Sequence, residues 1–205
     1  MSRGEEVRER QPASAEDAAR ANHYALIGRL FYDAPDSILI AQLCSAEAAS
    51  TTDDGADLER AWRALRDACS AAYPAVLKQE HDRLFVGVGK AEVTPYTSYY
   101  VRDISPDRHL VQLRQRLEQL GLGRRIAAYE VEDHISGVCD VMRLLIDGTS
   151  PLAEQSQFFN EFVYREAMAF CDSLSAAASA EFYRHVARYR SEEHTSELQS
   201  LAYLV

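Results

Sequence analysis

The sequence has no cysteine pair at C-x-x-C spacing and no apolar run near the ~20 residues that span a bilayer. It is also short of basic charge. Its 205 residues hold 22 Lys and Arg against 32 Asp and Glu, a formal charge of −10. This balance excludes the basic footprint on which nucleic-acid affinity rests, so no nucleic-acid partner is expected. The absence of an apolar run argues against stable membrane insertion. The first fourteen residues mix Arg and Glu and lack the apolar core of a secretory signal, which predicts a cytoplasmic location. Cys44, Cys69, Cys139 and Cys171 are scattered. In a chain of this size they read as reduced, mostly buried thiols. No G-x-G-x-x-G or P-loop is present, and Gly87-Val88-Gly89-Lys90 lacks the Walker spacing.

What is present is an ordinary apolar fraction, 47%, in a length that suits one domain. One segment stands apart. Residues 190–200 read Arg-Ser-Glu-Glu-His-Thr-Ser-Glu-Leu-Gln-Ser, which looks like the in-frame translation of a short-read sequencing adaptor. We read 190–205 as such a translation, fused to a natural C-terminal helix cut short, and give it no functional weight. One Arg and three Glu leave the count with it, so the remaining 189 residues carry 21 cationic and 29 anionic side chains, or −8.

The rest alternates helical stripes with breakers. Residues 1–13 are polar and expected to be flexible, and 14–189 are expected to form one helical domain. Ser14 with Asp17 has the capping-box pattern, and Tyr24, Ile27 and Phe31 share a helix face that ends before Pro35. A short helix is expected from about Asp36 to Cys44, and a loop over 45–56. Leu58, Trp62, Leu65, Cys69 and Ala72 form an amphipathic stripe, and Pro74 opens a helix expected to reach about Phe85. Val86 to Ile104 has no helical period and carries Tyr96, Tyr99 and Tyr100, so it reads as a long functional loop. Ser105-Pro106 starts the next helix, which Gly121 and Gly123 close. Val131, Ile135, Val138, Met142 and Leu145 recur at helical spacing, and Pro151 opens one helix with Phe158, Phe159, Phe162 and Phe170. A last helix carries Phe182, Val186 and Tyr189. With no sustained strand alternation, the fold class is all-α.

The densest chemical group is Glu130-Val131-Glu132-Asp133-His134. On a helix, Glu130 and His134 would share a face with Asp133 beside them. Four readings stand open. The group is a metal site or an acid/base group of a small helical enzyme, although no second ligand motif or nucleophile is visible. It is a capped helix start favoured by the helix dipole. Or it projects into a binding groove. In Pro95-Tyr96-Thr97-Ser98-Tyr99-Tyr100, each ring suits either a peptide groove or simple packing of the loop. His23, His81, His109 and His185 are isolated, and Trp62 lies on an apolar stripe.

Together these segments resemble the TorD/DmsD family of redox-enzyme maturation chaperones over most of residues 20–189. The resemblance rests on Tyr24 to Tyr32 with the following Ala34-Pro35-Asp36, on Glu80 to Gly87, on Pro95-Tyr96-x-Ser98-x-Tyr100 and on Glu130-x-x-Asp133-His134-Ile135. Val138 to Ile146 and Gln157-Phe158-Phe159 follow in order. Val131 departs from the family's usual proline, and its proline–tryptophan pair is missing from 160–170. The resemblance implies a single-domain helical bundle of the TorD-like type that is not an enzyme and carries no cofactor of its own. Its implied partners are a molybdopterin-dependent oxidoreductase and that enzyme's twin-arginine leader, bound to assist cofactor insertion and delay export. It implies Leu84, Phe85, Tyr96, Tyr100, Glu130, Asp133 and His134 as peptide-binding candidates. The client stays open among formate dehydrogenases and N-oxide or sulfoxide reductases, and the oligomeric state between monomer and helix-swapped dimer.

Overall fold

A computed structural model describes residues 14–46, 56–87, 90–123 and 131–203, with side chains omitted at 56 and 193–203. The expectation of a flexible segment at 1–13 lies outside the described residues, as does most of the loop expected over 45–56. Nine α-helices are present among the described residues: α1 (Ala15–Tyr32), α2 (Ser37–Ser45), α3 (Ala56–Ser70), α4 (Pro74–His81), α5 (Pro106–Gln119), α6 (Ile135–Asp147), α7 (Leu152–Phe162), α8 (Tyr164–Ala176) and α9 (Phe182–Tyr203). They form one all-α bundle. No strand occurs among the described residues, and none of their helices is long and apolar enough to cross a membrane.

Local chemistry sets the ends. Ser14 Oγ accepts the Asp17 amide at 3.0 Å, and the Asp36 carboxylate accepts the Leu39 amide at 2.8 Å. Ser105 Oγ accepts from Arg108, with Pro106 in the first turn of α5. Gly121, at φ +68°, supplies the left-handed step that ends it. α1 lies along α6, and α9 packs on α3 and α8. At Gly28 an added Cβ would stand 3.4 Å from the Ser136 carbonyl and 3.5 Å from Cys139 Cβ, ordinary contact distances that leave room for a methyl but no larger side chain between α1 and α6. Tyr24, Ile27, Leu30 and Phe31 of α1 are buried in the core, with Phe31 meeting the rings of Phe85, Phe170 and Tyr183. Three of the four thiols are buried and none is in a disulfide; burial pushes the Cys69 thiol up to about 12.

Two expected helices are divided. The aromatic run after Pro151 breaks at Val163, where φ −118° ends α7 and starts α8. Phe158, Phe159, Phe162 and Phe170 are all buried on either side of that turn. The α4 helix stops at His81 and widens into a π-helical turn over Asp82–Val86. Gly87 closes the turn at φ +61°, where a Cβ would lie 2.5 Å from the Ala91 nitrogen. The returning chain fills the turn's open hydrogen bond, with Val93 N–H donating to the Leu84 carbonyl at 2.9 Å.

One long-range cap joins α4 to α9. The Glu80 carboxylate, 5% exposed, accepts the backbone N–H groups of Glu181 (2.8 Å), Phe182 (3.2 Å) and Tyr183 (2.9 Å). These are donors that a helix start leaves without intrahelical partners, and the charge complements the positive end of the helix dipole.

Candidate peptide-binding site

The two motif segments around Tyr96 and Asp133 meet as backbone. Thr97 N–H donates to the Asp133 carbonyl and Ile135 N–H to the Pro95 carbonyl, each at 2.8 Å, which makes an isolated antiparallel bridge between Tyr96 and His134. His134 is extended at the bridge, and residues 132–133 form a turn closed by the His134 N–H on the Val131 carbonyl at 3.0 Å, so α6 begins at Ile135. Asp133 and His134 thus precede the helix, where a helix carrying Glu130 and His134 on one face with Asp133 beside them was expected. Glu130 lies outside the described residues.

Side chains reinforce the bridge. Asp133 is 3% exposed, and its Oδ2 accepts Ser98 Oγ–H at 2.5 Å and, more weakly, Ser98 N–H at 3.4 Å. His134 is the N-cap of α6: its Nδ1 accepts the Ser136 amide at 3.2 Å and lies 2.6 Å from Ser136 Oγ. A backbone N–H can only donate, so this contact requires Nδ1 to be unprotonated. The half-buried Tyr96 ring stands edge-on to the His134 ring at 5.4 Å. Beneath them lies buried His109, packed on Phe162. Burial holds His109 below the usual histidine range, and the Asp133 carboxylate offsets part of that shift.

Leu84 and Phe85 belong to a second cluster on the π-helical turn. Leu84 is fully buried in the core. Phe85 is half-buried and touches Phe31, His81, Phe170 and Tyr183, at ring distances of 6.1, 5.1, 6.3 and 5.1 Å. Phe170 connects the clusters, since it meets Tyr100 at 6.0 Å, and Tyr100 in turn meets Tyr99 at 5.2 Å. Tyr100 O–H donates to the Thr94 carbonyl at 2.9 Å, and burial pushes its hydroxyl up to about 12. The result is one aromatic run, Phe85–Phe170–Tyr100–Tyr99, with Phe170 in the core at 1% exposed, Phe85 and Tyr100 half-buried and Tyr99 65% exposed at its wet end.

The structure thus brings Tyr96, Asp133 and His134 together and ties Phe85 to Tyr100 through Phe170, while Leu84 is inside. Ser98 and Tyr99 lie in the loop motif but outside the binding candidates it implied, and Phe170 read as plain core. Arg114 was also missed: its Nε and Nη2 reach Glu132 Oε2 at 3.2 and 3.0 Å. Nothing in the helical stripe of α5 marks that residue. Among the described residues no three His, Cys, Asp or Glu side chains are placed to hold a metal ion. The Asp133 and His134 atoms named above are engaged in holding the loops.

Fold and site together define a helical-bundle protein with a clasped, aromatic loop face. The sequence profile of the family described as nitrate reductase delta subunit matches residues 51–172. The chain belongs to that family, a family of redox-enzyme chaperones that act in molybdoenzyme maturation together with the catalytic subunits. No curated protein matches the chain.

Proposed function

We propose that this protein is a cytoplasmic chaperone of the TorD/DmsD kind that binds the twin-arginine leader, the body, or both, of a molybdopterin-dependent oxidoreductase, and that it assists cofactor insertion and delays export. The observation that carries this reading is the family match. Its span, residues 51–172, contains the π-helical turn, the Tyr96 loop, the Asp133 clasp and Phe170. The chemistry agrees with it. A twin-arginine leader pairs guanidinium groups with an apolar stretch. The half-buried Phe85 and Tyr100 and the exposed Tyr99 offer apolar surface, and the acidic chain favours encounter with a cationic peptide.

In this reading Phe85, Tyr96 and Tyr100 bound the groove, and Tyr99 is its most accessible ring. Leu84, Asp133 and His134 act from behind by fixing the loops, and Glu130, outside the described residues, stays a candidate through the resemblance alone. A nitrate-reductase-type catalytic subunit joins the client classes the sequence left open. The test is calorimetric titration of the full chain with a synthetic leader peptide. Tyr99→Ala removes a ring that the fold does not bury, so it should weaken binding about tenfold or more while unfolding stays unchanged. Equal affinity in the variant refutes the aromatic face as the binding surface.

A further inference from the structure

A cleft of about 450 Å³ lies between α5 and α7, and no residue of the aromatic run lines it. Gln112, Gln115, Arg116 and Gln119 recur along one face of α5, and Gln157 and Glu161 stand on α7. Arg116, whose side chain is 14% exposed, joins the two helices. Its Nη1 donates to Gln119 Oε1 at 3.3 Å and its Nη2 to Gln157 Oε1 at 3.2 Å. Gln157 Nε2 donates onward to Glu161 Oε1 at 3.0 Å. The exposed carboxamides of Gln112 and Gln115 make no hydrogen bond among the described residues. The cleft has the volume of a ligand pocket but not the usual apolar lining, since Phe162 is the one apolar side chain on it. An apolar ligand would therefore find little wall. A phosphate-bearing one would need more cation than Arg116, which is already shared between two carboxamides and lies 4.0 Å from Glu154. The lining instead suits a neutral ligand that both donates and accepts hydrogen bonds.

We propose that this cleft is a second polypeptide site, which holds an extended, unfolded segment of the client by its main chain. A glutamine carboxamide carries the same donor and acceptor as a peptide group, so Gln112 and Gln115 pair with backbone whatever side chains the segment bears. In a folded client nearly all buried main-chain groups are already paired, whereas an unfolded segment presents them. The cleft thereby distinguishes unfolded client from folded client. The inference rests on the chaperone reading above and adds to it a site for the client body, apart from the face assigned to the leader.

The experiment is titration of the full chain with a short uncharged peptide of alternating serine and threonine, acetylated and amidated at its ends. Its counterpart has the same sequence with every second backbone nitrogen methylated, which removes main-chain donors and leaves the side chains. Wild type should bind the unmethylated peptide about tenfold or more tightly than the methylated one. The double variant Gln112→Ala, Gln115→Ala should lose about tenfold in affinity for the unmethylated peptide, with unfolding unchanged because alanine suits exposed helix positions. A saturating leader peptide should not displace it. The side-chain amide resonances of Gln112 and Gln115 should move on its addition. No binding by wild type, equal binding of the two peptides, wild-type affinity in the double variant, displacement by the leader, or stationary glutamine resonances each overturn the inference. The leader reading is decided separately, by leader titration of the same protein: leader binding without binding of the neutral peptide leaves that reading standing and removes the cleft as a site.

Discussion

Asp133 is the residue whose replacement separates a structural clasp from a direct ligand contact. It is almost fully buried, and its Oδ2 accepts a 2.5 Å bond from Ser98 Oγ–H and a long 3.4 Å bond from Ser98 N–H. A hydrogen bond to a charged group contributes about 1.5–3 kcal/mol. The short bond carries most of the effect, so Asp133→Ala should cost about 2–4 kcal/mol, with the higher end reached if the Tyr96–His134 bridge loosens with it. Ser98→Ala leaves the carboxylate buried without its hydroxyl donor and should cost about 1.5–3 kcal/mol. Asp133→Asn keeps an acceptor and should cost about 1 kcal/mol. The assay is urea unfolding followed by circular dichroism and by the single Trp62, with a double-mutant cycle over Asp133 and Ser98. The coupling energy should be about 1–3 kcal/mol. An Asp133→Ala protein within about 0.5 kcal/mol of wild type, or strictly additive substitutions, refutes the clasp. In that case any loss of peptide affinity in Asp133→Ala would be due to the carboxylate itself.

Three further outcomes follow from the geometry. Glu80→Ala strips three amides of their shared acceptor and should cost about 3–5 kcal/mol, with hydrogen exchange accelerating at Glu181, Phe182 and Tyr183; unchanged protection there contradicts the cap. Gly28→Ala should be nearly neutral, because its Cβ meets only ordinary contacts, whereas Gly28→Leu should cost about 1–3 kcal/mol by forcing α1 from α6; chemical unfolding of both variants decides it. His81 and His109 are both held below the histidine reference of 6.5, chiefly by burial. Their unfolded forms take up protons first, so stability should be complete above that reference and fall as pH drops below it toward their folded values. His109→Leu should flatten the fall, and unfolding midpoints across that range that match wild type would refute the contribution.

The sequence was most legible where structure is local. Helix starts at Ser14, Asp36, Ser105 and Pro151 could be read because a cap or a proline acts within one turn. The all-helical class followed from apolar stripes that need no partner to be recognised. The two loops of the candidate site were also visible as motifs, but not their joining. The Tyr96–His134 bridge spans 38 residues of chain, and only that pairing explains why Asp133 and His134 leave the helix. The Glu80 cap on α9, a contact across 101 to 103 residues, has no local signature. The break at Val163 was hidden because four phenylalanines at near-helical spacing fit one helix as well as two. The Arg114–Glu132 pair joins an exposed cation on α5 to a mostly buried carboxylate 18 residues away, and periodicity carries no information about such partners.

The central claim is recognition of an arginine-bearing leader by a molybdoenzyme-maturation chaperone. Its most direct test is equilibrium titration of the full chain with a twin-arginine leader peptide and with the same peptide carrying glutamine at both arginines. The account predicts saturable one-to-one binding of the first and a loss of about tenfold or more for the second. Equal binding of the two peptides, or none of either, would contradict it.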